Sequence, residues 1–256
     1  MISAHATHPG LVRQNNEDCI RTDDNLGIYL LADGIGGHNA GEVASSLAVE
    51  TVYSIVRSNL AHTAVDGYFE LMVHAMHAAH WEIYTKAQSN PSLAKMGTTL
   101  VVAVVRENKA YIVNAGDSRC YLFQVTDNDS SPQNVPLHEM GGYAFRQLTH
   151  DHTVGDQLLA NGMTLGQIPK KQFHTLTRSL GCGNPPIPDF NIVDIGPGDM
   201  LLICSDGLTD MLTDGEIETV LAQNTAGLEA KTAELVVAAN AHGGRDNVSV
   251  ILVTSS

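Results

Sequence analysis

Apolar positions along the chain follow two rhythms. In one they run on without a break, as in Tyr29-Leu30-Leu31-Ala32, Leu100 to Val105, Tyr111-Ile112-Val113 and Leu201-Leu202-Ile203-Cys204. Such runs, bounded by glycine, asparagine and aspartate, predict strands. By this criterion strands are expected at 2–7, 27–32, 98–105, 109–114, 119–125, 191–195, 200–204 and 247–254, the last an alternating Val/Ile-rich segment. In the other rhythm they recur at threes and fours, as at Val43, Ala44, Leu47, Ala48, Val52, Ile55 and Val56. That spacing gives a helix one buried face. It predicts helices at 41–59, 67–87, 214–222 and 228–242. On the second of these, His74, His77 and His80 recur at threes away from the apolar stripe, which predicts a solvated face and not a metal site.

The turn Arg106-Glu107-Asn108 is too short for a parallel crossover. Strands 98–105, 109–114 and 119–125 are therefore expected to form an antiparallel meander. Residues 127–142 are polar and contain prolines, so they read as a surface loop. Residues 148–180 carry a weak, mixed pattern that predicts a short helix and an excursion over the surface. No repeat or low-complexity linker divides the 256 residues. Strict β-α-β alternation is absent, and the elements suggest one α+β domain of antiparallel sheets covered by helices.

Composition narrows the partners. A net charge of -14 argues against nucleic acid or an anionic membrane surface as the main partner. The four cysteines, Cys19, Cys120, Cys182 and Cys204, have no paired spacing. They predict reduced thiols in a cytoplasmic protein, and neither a zinc site nor a disulfide framework. The N-terminus shows no basic region followed by an apolar one, and no apolar run is long enough to span a bilayer.

The candidate chemistry lies where strands end. Asp33, Asp117, Asp206 and Asp246 each stand at a strand terminus beside small residues: Gly34, Gly116 with Ser118, Gly207, and Gly243 with Gly244. One such aspartate is an ordinary turn former. Four on strands that share a sheet edge would repel one another unless a cation lay between them. Oxygen donors without paired Cys or His suit Mg²⁺ or Mn²⁺. Arg13, followed by Glu17 and Asp18, offers a guanidinium fork for a phosphate, although taken alone it reads as a surface arginine.

In order along the chain, these residues resemble the metal-dependent protein serine/threonine phosphatases of type 2C (PPM), most closely their compact bacterial branch. The match includes Gly10-Leu11-Val12-Arg13 with Asn16-Glu17-Asp18, Ala32-Asp33-Gly34-Ile35-Gly36-Gly37-His38 with Gly41-Glu42, and Met96-Gly97-Thr98-Thr99. It continues through Gly116-Asp117-Ser118-Arg119, Leu148-Thr149 with Asp151-His152, Cys204-Ser205-Asp206-Gly207-Leu208, and Gly243-Gly244-Arg245-Asp246-Asn247. The resemblance implies a four-layer α/β/β/α sandwich of two antiparallel sheets flanked by helix pairs. It also implies a single catalytic domain over 1–256, with a mobile flap at about 150–188.

The implied reaction is hydrolysis of phosphoserine and phosphothreonine by direct attack of a hydroxide bridging two Mn²⁺ or Mg²⁺ ions. By match, Asp33 bridges the ions, Asp206 and Asp246 complete the first, and the Gly34 carbonyl joins the second. Glu17 or Asp18 acts there through water. Asp117 with Asp206 is the implied pair for a third, weaker ion, and Arg13 is the implied phosphate clamp. Some relatives place their general acid directly after Asp-Gly, where this chain has Ile35. His38 is the nearby candidate for that role. The expected partners are phosphorylated proteins made by a Ser/Thr kinase, and a monomer is expected.

The rivals have less support. Asp127 and Asp129 faintly resemble the nucleophile motif of haloacid-dehalogenase-type phosphatases, but in a proline-bearing loop. No cysteine is followed six positions on by arginine, and no Gly-Lys-Ser/Thr phosphate loop is present. A catalytically weak phosphoprotein-binding regulator on the same fold is the alternative from another class, and turnover of a phosphoester with Mn²⁺ separates the two.

Overall fold

A computed structural model describes residues 1–36, 40–125, 143–223 and 227–255. Among these, eleven strands form two antiparallel sheets. The first sheet holds β2 (Asp18–Asp23), β3 (Ile28–Ile35), β5 (Leu100–Arg106), β6 (Lys109–Ala115) and β9 (Asp189–Asp194) in that order. The two-residue β4 (Gly97–Thr98) pairs with the end of β3. The second runs β1 (Ile2–His8), β11 (Val248–Thr254), β10 (Met200–Cys204), β7 (Arg119–Val125), β8 (Tyr143–Gln147). Six helices accompany them: α1 (Ala40–Asn59), α2 (Tyr68–Ser89), α3 (Val154–Ala160), the turn α4 (Asp206–Thr209), α5 (Asp214–Leu221) and α6 (Leu228–Ala241).

The uninterrupted apolar runs are explained by burial on both faces. Side chains alternate across a strand, so β3 sends Ile28, Leu30 and Ala32 into a core under α1 and α2. Its Tyr29 and Leu31 enter the layer between the sheets, against Leu201, Ile203, Ile251 and Val253. The outer face of the second sheet, with Leu202, Cys204, Val250 and Leu252, is covered by Leu208, Ile217, Leu235 and Ala239 from α4, α5 and α6. Three apolar layers between four structural ones make the α/β/β/α sandwich.

Three sequence expectations need correction. Strand β7 does not continue the meander. It pairs with β10 and β8 in the second sheet, while the free edge of β6 is taken by β9. The crossing is made at Gly116 (φ +113°), where an added Cβ would strike Thr99, and it carries Asp117 between the sheets. Strands β2 and β8 were not foreseen, because their polar residues hide any apolar run.

The histidine face is the third. Steps of three drift round a helix by ~120° between residues 74 and 80, so His74 is exposed while His80 is fully buried. The Gly181 amide donates to His80 Nδ1 at 3.1 Å, and His77 Nε2 lies 3.0 Å from the Pro186 carbonyl. The loop foreseen at 127–142, with Asp127 and Asp129, falls outside the described residues, as does His38. Among the described residues no helix is long and apolar enough to cross a membrane.

Candidate metal centre

One end of the sandwich gathers the acidic strand termini. The register of β2 on β3 sets Asp18 directly opposite Asp33, an arrangement of like charges that strands ordinarily avoid. Asp206 follows β10, Asp246 precedes β11, and Asp117 sits at the crossing from β6 to β7. A cleft of about 820 Å³ opens here. Its walls include Arg13, Glu17, Asp33, Asp117, Asp206 and Asp246. Gly34 also lines it, so the structure brings together every described site residue that the sequence singled out except Asp18. Asp18 lies half-buried behind the wall, its Oδ2 accepting a 2.8 Å hydrogen bond from Ser205 Oγ.

The backbone is fixed tightly around these side chains. The Asp33 amide donates to Thr99 Oγ1 (2.9 Å), and the Asp33 carbonyl accepts from Thr98 Oγ1 (2.8 Å) and from the Thr99 amide (2.9 Å). The Gly34 amide donates to the Glu17 carbonyl at 3.1 Å. Gly34 and Gly41 lie back to back: a Cβ on Gly34 would strike the Gly41 carbonyl, and one on Gly41 would strike the Glu17 carboxyl. Any side chain at either position would push the acids apart.

Asn247 serves as a staple. Its Oδ1 accepts from the Glu17 amide at 2.8 Å, and its Nδ2 donates to the Pro9 and Asn15 carbonyls at 3.0 and 2.9 Å. The loop bearing Arg13 and Glu17 is thereby tied to the start of β11. At its tip, half-exposed Arg13 donates from Nη2 to Asp246 Oδ2 at 2.7 Å.

The electrostatics are those of an unbalanced acid cluster. Burial first, then the charges of Asp18, Asp206, Asp117 and Asp246, hold the Asp33 carboxyl well above the ordinary range. Asp206 is raised in the same way, by burial and by Asp117, Asp210, Asp246 and Asp18. Burial lifts Asp18 to about 6 against the hydrogen bonds of Ser249 and Ser205. It lifts Asp117 to about 7, helped by Asp151. Glu17 is raised too, mainly by burial. Asp18 Oδ1 and Asp206 Oδ1 are buried without a hydrogen-bond partner. Orphaned buried carboxylate oxygens, beside like charges and a glycine cradle, are a donor set that fits hard divalent cations.

Two members of the site escaped the sequence reading. Asp210 lies one helical turn beyond Asp206, its amide donating to the Asp206 carbonyl at 2.7 Å. That i, i+4 spacing was a usable signal. His174, in the 3₁₀ turn Lys170–His174, reaches the same corner with Nδ1 3.4 Å from Asp210 Oδ2. Nothing in its local sequence marks it.

The sequence matches the protein phosphatase 2C family over residues 4–241, nearly its whole length. The chain belongs to that family. It is 34% identical to the serine/threonine phosphatase stp of Listeria monocytogenes over 254 residues, covering 96% of this chain and 93% of that protein. It is 32% identical to the protein phosphatase PhpP of Streptococcus pneumoniae, covering 97% and 95%. Among solved structures, the serine/threonine phosphatase of S. agalactiae superposes with a TM-score of 0.81 at 30% identity, over 100% of this chain and 99% of that one. The catalytic domain of the phosphatase PstP in complex with two manganese ions superposes with a TM-score of 0.79 at 29% identity, over 98% and 96%. The four-layer fold and the enzyme class, that of protein phosphatases, follow from these relationships.

Proposed function

We propose that this protein phosphatase 2C hydrolyses phosphoserine and phosphothreonine in substrates of a Ser/Thr kinase, with water as nucleophile and no phosphoryl-enzyme. The observation that carries the reading is the convergence of Glu17, Asp33, Asp117, Asp206 and Asp246 on one cleft, with Arg13 at its mouth. Two Mn²⁺ or Mg²⁺ ions fit this donor set. Asp33, Asp206 and Asp246 would hold the first, and Asp33 with the Gly34 carbonyl would hold the second. Glu17, on the cleft wall, is better placed to act there through water than Asp18, which stands behind it. A third, weaker ion would be held by Asp117 and Asp206. When bound, the ions supply charge neutralisation, polarisation of the phosphoryl oxygens and an acidified water.

The protein's own side chains do the rest. Arg13 orients the phosphoryl group by trading part of its ion pair with Asp246 for phosphate oxygens. Thr98 and Thr99 hold the Asp33 backbone, so its carboxylate need not reorganise as the reaction proceeds. The departing serine alkoxide needs a proton, and His38 is the candidate donor. Residues 150–188 form a flap that brings His174, Thr175, Leu176, Ser179 and Cys182 to the cleft and shapes substrate access.

The test is phosphopeptide hydrolysis by wild-type and Asp33→Asn protein, with Mn²⁺ and after chelation. Wild type with Mn²⁺ should turn over, while Asp33→Asn and chelated protein should be inactive though folded. Near wild-type rates in either would refute the metal mechanism. No turnover by the wild type would instead favour a phosphoprotein-binding regulator.

A further inference from the structure

The corner of the cleft formed by Asp206 and Asp210 faces a donor from another part of the chain. One ligand atom each from His174, Asp206 and Asp210 lie within 4.8 Å of one another. Ligands at ~2.1 Å on adjacent octahedral corners stand about 3 Å apart, so three such donors can share one ion with small side-chain rotations. The two carboxylates are held on a single helical turn of the core. The imidazole comes from the flap, where the ring of the preceding residue, Phe173, packs against Gly155 at the start of α3.

A second observation points to a cation. Asp206 Oδ1 is buried and lacks a hydrogen-bond partner, so the contact of His174 with Asp210 leaves an oxygen of the same cluster unmatched. An imidazole tethering a loop to a core aspartate has no need of that orphan; a bound ion does.

We propose that His174 is a ligand of the third divalent cation, so that this ion fastens the flap to the core at the turn bearing Asp206 and Asp210. The inference rests on the third-ion reading given above and adds to it a nitrogen donor and a mobile element. Two consequences follow from the chemistry. A site with one imidazole nitrogen favours Mn²⁺ over Mg²⁺, which prefers oxygen alone. Filling the site also restrains the backbone at 170–176, which lies at the cleft mouth.

The experiment is a Mn²⁺ titration of wild-type and His174→Ala protein. It is followed by calorimetry, by hydrogen exchange over 165–176 and by pulsed electron paramagnetic resonance for nitrogen coupled to Mn²⁺. In the wild type, the weakest site should show a nitrogen coupling and slow exchange at 170–176 as it fills. His174→Ala should lose that coupling and that protection, and weaken this site by roughly tenfold to a hundredfold, while the two tight sites keep their affinities. His174→Gln, which offers an amide oxygen at similar reach, should recover binding with the preference for Mn²⁺ over Mg²⁺ reduced. A third ion that binds His174→Ala as tightly as wild type, with the same coupling and protection, would overturn the assignment of His174 and leave the third site standing. Binding of only two ions to the wild type would overturn the third-ion reading itself, and this inference with it.

Discussion

A carboxylate buried among carboxylates has to be matched by protons, donors or cations, and Asp18 shows how much the fold itself supplies. Ser205 Oγ donates to Asp18 Oδ2 and accepts from the Ser249 amide at 3.0 Å. It therefore couples the acid to the strand pair β10–β11. Ser205→Ala should raise the Asp18 carboxyl further above its value of about 6 and cost about 1–3 kcal/mol, the penalty for a buried charge left short of a donor. Denaturant unfolding in the presence of Mn²⁺ measures it, and an unchanged midpoint would mean that Ser205 is a bystander. Arg13 is different, since it is exposed at the mouth of the cleft and is the proposed phosphate clamp. Arg13→Ala should lower kcat/KM for phosphopeptides by roughly 10- to 100-fold, the worth of one charge-assisted contact, with little change in stability. Asp33, Asp117, Asp206 and Asp246 were legible because a carboxylate that ends an apolar run beside glycine contradicts both its neighbours. Asp210 carried only its i, i+4 spacing from Asp206, and His174 carried no sign at all, because a polar residue on a polar stretch does not reveal what it faces. Only the return of residues 170–174 to the cleft brings His174 to Asp210.

At the scale of elements, helices read more faithfully than strands. Helices α1, α2, α5 and α6 lie within a residue or two of their expected limits, since one buried face imposes a period that no tertiary contact has to supply. Strand β2 has intermediate burial along its whole length and so shows no alternation. The assignment of β7 to a meander failed for another reason: length and composition tell a strand from a helix, but not which sheet it joins. Helix α5 carries two further devices. Thr213 and Glu216 form a capping box at its start. At its end the buried Lys231 of α6 donates to the Leu221 and Gln223 carbonyls, each at 2.5 Å. Lys231→Met keeps the bulk but leaves helix-end carbonyls without donors, so it should destabilise the protein by about 1–3 kcal/mol. Activity of the folded variant should be unchanged, as Lys231 is far from the cleft in the layer outside the second sheet. A combined loss of kcat and stability would show that the α5–α6 layer communicates with the site.

For the whole molecule, the acid cluster sets a pH dependence of definite sign. Asp18 and Asp117 titrate at about 6 and about 7 in the folded chain, and Asp33 and Asp206 well above their ordinary value of 3.8. The folded state thus holds more protons than the unfolded one across this range, and stability falls as pH rises. In chelator, the melting temperature should drop from about pH 4 to about pH 7, the window between the unfolded and folded values of Asp18 and Asp117. Saturating Mn²⁺ should abolish or reverse the trend by taking the place of those protons. A flat profile in chelator would show that the cluster is not electrostatically strained. The same cluster is drawn from both ends of the chain, and its last members wait on β11. That strand is central, pairing with β1 along residues 2–8 on one side and with β10 on the other. A nascent chain therefore exposes β1 without its neighbour until β11 has been made. Asp246, just ahead of β11, cannot take its place before then. A chain interrupted anywhere before β11 should therefore yield no partly active fragment, since both β1 and β10 would lack their shared neighbour.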